Sequence, residues 1–148
     1  MEIEDFTMDY YDEILELWRR SGISIGSSDD RSEVQRILER NPGFFLIGKE
    51  KDKVIAVVEG TYDGRRGYIH HLAVDPSFQK QGYGKMLIDE LMERFRQNKV
   101  HKVHLFVEKH NKSAIKFYKS LGWEKRKYLT MMSFIPDDTL YRPSMREF

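Results

Sequence analysis

The sequence predicts an α/β domain in which helices flank a mixed central β-sheet. A strand, a helix and a second strand follow one another between Tyr68 and Val107, and this passage implies a parallel pair joined by a crossover helix. Short charged turns between the preceding apolar runs instead predict antiparallel hairpins. With 148 residues, 40% of them hydrophobic, the chain has the size of one domain and enough apolar side chains to fill its core.

The first half of the chain predicts a strand, two helices and then three strands. Residues 9–20 place their apolar side chains on one face, as an amphipathic helix does. A second helix begins near Asp29 or Asp30 and stops at Asn41-Pro42-Gly43, because proline and glycine end helices. The three strands are predicted from the apolar runs 44–48, 54–60 and 68–74.

The second half predicts two more helices separated by a strand. Apolar residues recur every four positions from Gly82 to about Asn98, which predicts the longest amphipathic helix. A short strand follows at residues 103–107. Asn111 can cap the next helix, and Gly122 stands where a helix commonly ends.

The last part of the chain predicts one more β element and a tail. From Trp123 onward apolar and polar residues alternate, and this pattern favours a final strand or hairpin from Tyr128 to Phe134. We therefore place the domain at residues 1–135 and a surface tail at residues 136–148.

Composition excludes several kinds of chemistry. The chain contains no cysteine, so disulfides, cysteine-ligated metals and thiol nucleophiles are absent. His101, His104 and His110 lack good metal-site spacing with a carboxylate, and we expect no metal. With 25 basic and 24 acidic residues, the net charge of +1 does not predict nucleic acid as a partner. The chain has no apolar run long enough for a bilayer and an acidic rather than basic start, so we expect a cytoplasmic protein without membrane contact.

The most informative stretch runs from Leu72 to Leu87, where a predicted strand passes through a glycine-containing loop into a helix. Unpaired N–H groups at a helix start, together with the helix dipole, attract anions such as phosphates. A Walker loop would need glycine at Gln79 and serine or threonine at Met86. A dinucleotide fingerprint would need glycine at Leu87, so neither familiar phosphate loop fits.

Two motifs carry a family resemblance. Gln79-Lys80-Gln81-Gly82-Tyr83-Gly84, after Leu72-Ala73-Val74-Asp75-Pro76, resembles the acyl-CoA-binding motif of the GNAT family of N-acetyltransferases. Residues 111–123 are similar to the family's second signature, Asn-x-x-Ala-x-x-Phe-Tyr-x-x-x-Gly-Phe, with Trp123 in place of the last phenylalanine. The element order also matches, so the resemblance covers about residues 1–135 and implies the acyl-CoA N-acyltransferase fold.

The resemblance implies coenzyme A, in its acetylated form, as the acyl donor. In such enzymes the pyrophosphate lies on amides of the glycine loop, and the pantetheine arm runs beside a strand that precedes the loop. Val74 would then polarise the thioester carbonyl through its amide. Asn111 matches a position that touches the pantetheine or positions the incoming cofactor. The cofactor-binding residues implied here are Leu72, Ala73, Val74, Gln79, Lys80, Gln81, Gly82, Tyr83, Gly84 and Asn111.

The lack of cysteine favours direct attack by the acceptor amine in a ternary complex over an acyl-enzyme on sulfur. Such a reaction needs a base for the amine, a donor for the carbonyl oxygen and a proton for the leaving thiolate. Tyr118 matches the family's acid position, and a phenol with a reference pKa of about 10 keeps its proton at neutral pH.

For the base, the adjacent histidines stand out because histidine titrates near neutrality. Neighbours in a strand face opposite sides, so at most one of the pair should face the cofactor. We favour His70, where the arylalkylamine-acetylating branch of the family also has a histidine, with Glu59 on the preceding strand next. His71, or no dedicated base, remain open alternatives.

The leading hypothesis is an N-acetyltransferase that moves acetyl from acetyl-CoA to a primary amine, either a small amine or a protein N-terminus. The segment from Trp18 to Arg31 is expected to select the acceptor. The rival from another class is a non-catalytic acyl-CoA-binding sensor or regulatory module. Homodimers are common in the family, so a homodimer also remains open.

Overall fold

A computed structural model describes residues 1–143, and it contains the expected mixed sheet. Five strands lie in the order in which they occur along the chain, and the first four are antiparallel neighbours, whereas the fifth runs parallel to the fourth. The predicted fold class is confirmed. The strands are β1 (Glu2–Asp5), β2 (Phe45–Glu50), β3 (Lys53–Tyr62), β4 (Gly67–Val74) and β5 (Val103–Leu105).

Four α-helices flank this sheet in the part of the chain that the structure describes. They are α1 (Tyr11–Arg20), α2 (Arg31–Arg40), α3 (Tyr83–Gln97) and α4 (Lys112–Ser120). Short 3-10 turns cover Met8–Tyr10, Ser27–Asp29 and Pro76–Phe78. Within residues 1–143, none of the helices combines the length and the apolar character that crossing a bilayer requires.

The sheet has a packed core on each face. On one face, side chains of α1 and α2, including Trp18, pack with Val57 and Ala73. On the other face, α3 packs with Val58, the neighbour of Val57 along β3, because successive side chains of a strand point to opposite faces. Burying a large apolar side chain contributes about 1.5–3 kcal/mol, so the central strands are held firmly from both sides. These strands carry the candidate site.

The predicted final strand or hairpin at Tyr128–Phe134 is wrong. Residues 124–143 form no helix or strand, and the edge strand β5 ends at Leu105 instead of residue 107. A β-strand is stable only with a hydrogen-bonding neighbour, and the short edge strand β5 does not supply one here. Tyr128, Met132 and Phe134 are consequently 75%, 89% and 87% exposed. Of the predicted tail, residues 144–148 lie outside the described residues, and the domain boundary stays a prediction.

Candidate active site

A β-bulge between β3 and β4 shapes one side of the site. Val58 pairs with Leu72 and Gly60 pairs with Ile69, so His70 and His71 both stand opposite the single residue Glu59. Two residues opposite one define a bulge, and a bulge interrupts the alternation of side chains. Both histidines line the same cavity as Glu59. The expectation that the two histidines face opposite sides is therefore wrong, because it assumed a regular strand.

Gly60, next to this bulge, allows the Phe44 backbone and the Leu91 side chain to approach β3 closely. Its N–H donates to the carbonyl oxygen of Phe44 over 2.8 Å. A Cβ atom at Gly60 would lie 2.7 Å from that oxygen and 2.9 Å from Cδ1 of Leu91, both too close for unstrained packing. Glycine is thus required at this position by the close approach of neighbouring chain segments.

Asp29, in the turn between α1 and α2, holds His71. Its Oδ1 lies 2.9 Å from Nε2 of His71, and its Oδ2 accepts a hydrogen bond from the Gly26 N–H. Tyr11 donates its hydroxyl to the Asp29 carbonyl, which fixes the turn. The His71 ring also packs edge-on against Trp18, with centroids 5.0 Å apart. Both members of the Asp29–His71 pair are therefore held in one geometry.

The two members of this pair shift each other's pKa in opposite directions. Burial alone would lower the pKa of His71, but the hydrogen bond to Asp29 and the negative charges of Glu59 and Asp29 outweigh it and raise that pKa. Burial alone would raise the pKa of Asp29, yet the hydrogen bond and charge of His71 keep it below its ordinary value. These opposite shifts favour the protonated imidazole and the carboxylate as the two partners of the hydrogen bond.

Glu59 is the buried acid of the site. Its side chain is 2% exposed, and burial raises its pKa to about 7, an effect that the His71 charge reduces and the Asp29 charge increases. The pKa of His70 is lowered, first by partial burial and then by the charge of His71. Nε2 of His70 lies 2.8 Å from the hydroxyl of Thr61. Glu59 and a neutral His70 are thus both chemically able to accept a proton near neutral pH.

These residues line a cavity of about 470 Å³, the volume of a small-molecule site. The turn between α1 and α2 forms another wall of it. This turn belongs to the segment from Trp18 to Arg31, for which selection of the acceptor stays a prediction. Ligand atoms of Asp29, Glu59 and His71 come within 4.8 Å of one another, a spacing that a divalent cation can use. We interpret the cluster as a proton network instead, because one pair of these atoms already forms a hydrogen bond.

A second feature is an open edge on β4. On one side, β4 pairs with β3 as far as Val74. On the other side, β5 pairs only with Gly67, Tyr68 and Ile69, so the two parallel strands separate beyond Ile69. Leu72, Ala73 and Val74 therefore have no strand partner on the β5 side within residues 1–143. This unpaired β5 side of residues 72–74, called the slot below, is where an extended chain could pair with β4.

The N–H groups of Leu72 and Val74 point into this slot. Asp75 donates its N–H to the Ile55 carbonyl of β3, over 2.7 Å. Alternate residues of an antiparallel strand turn their N–H groups to opposite sides, so Ala73 faces β3 like Asp75. Leu72 and Val74 face the other way. Of the three predicted backbone contacts, these two have a free N–H for a cofactor.

The glycine loop begins where the slot ends. Gln79 donates from its side chain to the Val74 carbonyl over 3.0 Å, and buried Asp75 accepts from the Ser77 N–H and pairs with Arg20. Lys80 and Gly82 take positive φ angles of 63° and 85°. Gly82 precedes α3, whose first turn has no side-chain cap and no acidic residue. The N–H groups in the first turn of α3 are thus available to bind an anion.

Helix α4 carries the two remaining predicted residues. Asn111 caps the helix, since its Oδ1 accepts hydrogen bonds from the Ala114 N–H and the Ser113 hydroxyl. Burial raises the pKa of Tyr118 to about 12, and its ring contacts those of Phe117 and Trp123. Asn111 therefore has a structural role whether or not it also binds cofactor, and Tyr118 stays protonated at neutral pH.

The candidate base and acid lie on opposite faces of the sheet. Tyr118 packs against the same core as Leu72 and Val74, on the α3 face. Glu59 and His71 line the cavity beside α1 and α2, on the face where Ala73 packs with Trp18. The open edge of β4 lies between the two. A group placed in the slot can thus be approached from one face by an acceptor and from the other by the phenol.

Comparison with known proteins identifies the class to which this fold and site belong. The model of the Acetyltransferase (GNAT) family matches residues 10–123. The chain therefore belongs to the GNAT acetyltransferase family, and the resemblance of the two sequence motifs is confirmed. Membership supports acyl transfer as the general activity.

Relatives and solved structures agree with this assignment. An acetyltransferase of Pectobacterium atrosepticum is 29% identical over 95% of this chain and 100% of its own length. One from Sodalis glossinidius is 30% identical over 84% of this chain and 87% of its own length. The crystal structure of PaiA N-acetyltransferase from Thermoplasma acidophilum, in complex with coenzyme A, superposes with a TM-score of 0.74 at 17% identity. That match covers 81% of this chain and 87% of the other and shows the shared fold.

Sequence reasoning named most of these residues as candidates but gave three of them no individual role at the site. It offered Asp29 or Asp30 as a helix cap, whereas the Asp29 carboxylate binds His71. Ser27 was covered only by the segment expected to select the acceptor, and nothing pointed to Arg142, which meets Ser27 from 115 positions away. Only the fold brings residues of such separation together.

Proposed function

We propose that the protein transfers an acetyl group from acetyl-CoA to a primary amine by direct attack in a ternary complex. The observation that carries this proposal is the order of three features along β4: a cavity with a buried carboxyl at the bulge, an unpaired edge at residues 72–74, and the glycine loop that follows. The cavity can receive an amine, the β4 edge can pair with an extended pantetheine arm, and the glycine loop can bind a diphosphate. Together they suit an amine acceptor and a coenzyme A thioester.

The donor would bind with its diphosphate on the amides of residues 79–84, at the start of α3. The pantetheine arm would lie along β4, where the N–H groups of Leu72 and Val74 are free. The Val74 N–H would then donate to the thioester oxygen. As negative charge develops on that oxygen during attack, a donor held by the sheet stabilises it without reorganising.

Glu59 is the base in this proposal, in preference to His70. An amine attacks only when it is neutral, and a base is most effective when its pKa is near the working pH. The pKa of Glu59, about 7, meets that condition, and its carboxyl is fixed in the cavity wall opposite the bulge. The carboxylate takes the proton that leaves nitrogen as the new C–N bond forms.

Tyr118 assists departure of the thiolate. Because its pKa is about 12, complete proton transfer to a thiolate, with a reference pKa of about 8.5, would be uphill. The phenol therefore acts by donating a hydrogen bond to the leaving sulfur as the C–S bond breaks. The proton that the amine gave up neutralises the thiolate at the end of the cycle.

Release of free coenzyme A across a panel of amines and peptides tests the proposed function. We expect at least one amine to accelerate release, and Tyr118→Phe to lower kcat about 10- to 100-fold with little change in KM for acetyl-CoA. Tyr128→Phe, on the exposed segment after α4, is the matched control and should behave as wild type. If acetyl-CoA binds tightly but no amine accelerates release, the protein is an acyl-CoA sensor and the proposal is overturned.

A further inference from the structure

The segment after α4 returns to the acceptor cavity. Every residue from 124 to 140 is exposed and belongs to no helix or strand. Tyr141 and Arg142 then line the cavity together with Glu59, His70 and His71. The end of this long exposed segment thus forms part of the wall that faces the candidate base.

Arg142 is fastened to the turn between α1 and α2. The Ser27 N–H donates to the Arg142 carbonyl over 3.1 Å, and the Arg142 N–H donates to the Ser27 hydroxyl over 3.1 Å. Its guanidinium Nη2 lies 2.8 Å from Oδ1 of Asp30. The same turn holds His71 through Asp29, so Arg142 and the carboxyl cluster are positioned by one structural unit.

The cavity is lined by charged groups of both signs. Glu59, with His70 and His71 beside it, suits the amine that is to be acylated. Arg142 lines the same cavity, and its guanidinium, which has five N–H donors, pairs with Asp30. A carboxylate is a ligand that matches this fork with two parallel hydrogen bonds.

We propose that the acceptor is a small amine that also carries a carboxylate, as an amino acid does, with its amine at Glu59 and its carboxylate at Arg142. This inference rests on the proposed function. A diamine would place its second ammonium group beside the Arg142 guanidinium, where like charges repel. The volume of about 470 Å³ and the lining serines, Ser24, Ser27 and Ser28, suit a compact polar molecule.

Matched pairs of acceptors test this proposal, each an amino acid and the amine left by its decarboxylation: lysine with cadaverine, ornithine with putrescine, and tyrosine with tyramine. We expect wild type to favour the amino acid about tenfold in kcat/KM, a modest factor because the guanidinium is partly exposed. Arg142→Gln should remove the preference, and Arg142→Glu should reverse it toward the diamines. Arg126→Gln, an exposed arginine on the same segment, is the control and should keep the preference.

The outcomes separate this inference from the proposed function. If amines accelerate coenzyme A release but wild type uses both members of each pair equally, the inference is overturned and acetyl transfer stands. A preference that survives in Arg142→Gln also overturns it, since the carboxylate is then bound elsewhere. If neither the pairs nor the wider amine and peptide panel supports release, both proposals fall.

Discussion

Replacing Glu59 by glutamine should lower kcat about 100- to 10,000-fold, the range expected for loss of a general base. The amide is nearly the same size as the carboxyl, so the bulge and the cavity should persist, but it cannot accept the amine proton. In wild type, kcat/KM should rise with pH through an apparent pKa of about 7, as Glu59 ionises. That limb should be absent in Glu59→Gln, as steady-state pH–rate profiles would reveal.

His70→Gln is the matched comparison because His70 lines the same cavity and was the base favoured from the sequence. The His70→Gln variant should retain the rise of kcat/KM with pH near neutrality, and its kcat should fall less than that of Glu59→Gln. Coenzyme A affinity and circular dichroism should be unchanged in both variants, which excludes unfolding as the cause. The opposite result would make His70 the base: Glu59→Gln would keep its kcat and the rise of kcat/KM with pH, and His70→Gln would lose both.

The same Glu59→Gln substitution should also change how stability depends on pH. The free energy of unfolding of the variant, relative to wild type, should be about 3 kcal/mol higher at alkaline pH than at acid pH. Burial raises the pKa of Glu59 from 4.5 to about 7, so between these values the native state holds a proton that the unfolded chain releases. Stability of the wild type therefore falls as pH rises through this window. Glutamine does not ionise, so the variant avoids that loss.

Urea denaturation at about pH 4.5 and about pH 8.5 measures this difference. The groups that face Glu59 are His71 and His70 on β4 and Asp29 in the α1–α2 turn, and all three remain in the variant. The raised pKa of His71 contributes stability below its ordinary pKa that is lost as pH rises. The part of this contribution that comes from Asp29 is common to both proteins, whereas the part that comes from the Glu59 charge is absent from the variant. If the free energy of unfolding changed with pH equally in both proteins, the pKa of Glu59 would not be raised in the native state, and the prediction would be wrong.

The elements that the sequence predicted best are those determined by local pattern. Helix α3 and the loop before it follow from apolar spacing and from Gly82, whose φ of 85° favours glycine. The final strand failed for the opposite reason, because alternation at Tyr128–Phe134 says nothing about whether a neighbouring strand is present. Local pattern predicts what a segment can form, and partners decide what it does form.

The same distinction applies to the site. Glu59, His70 and Tyr118 could be identified by residue type and motif. The bulge that turns both histidines toward Glu59 depends on strand register, which no spacing along β4 reveals. Asp29 and Arg142 reach the cavity only through tertiary contacts. Long-range geometry therefore supplied the proton network and the far wall of the cavity.

The most direct test of this account is the structure of the protein with a non-hydrolysable acetyl-CoA analogue. We predict the diphosphate within about 3 Å of backbone N–H groups of residues 79–84 and the acyl oxygen on the Val74 N–H. The pantetheine arm should fill the slot on the β5 side of Leu72 and Val74. A diphosphate bound elsewhere, for instance on the lysines of α4, or an acyl group remote from β4, would contradict the account.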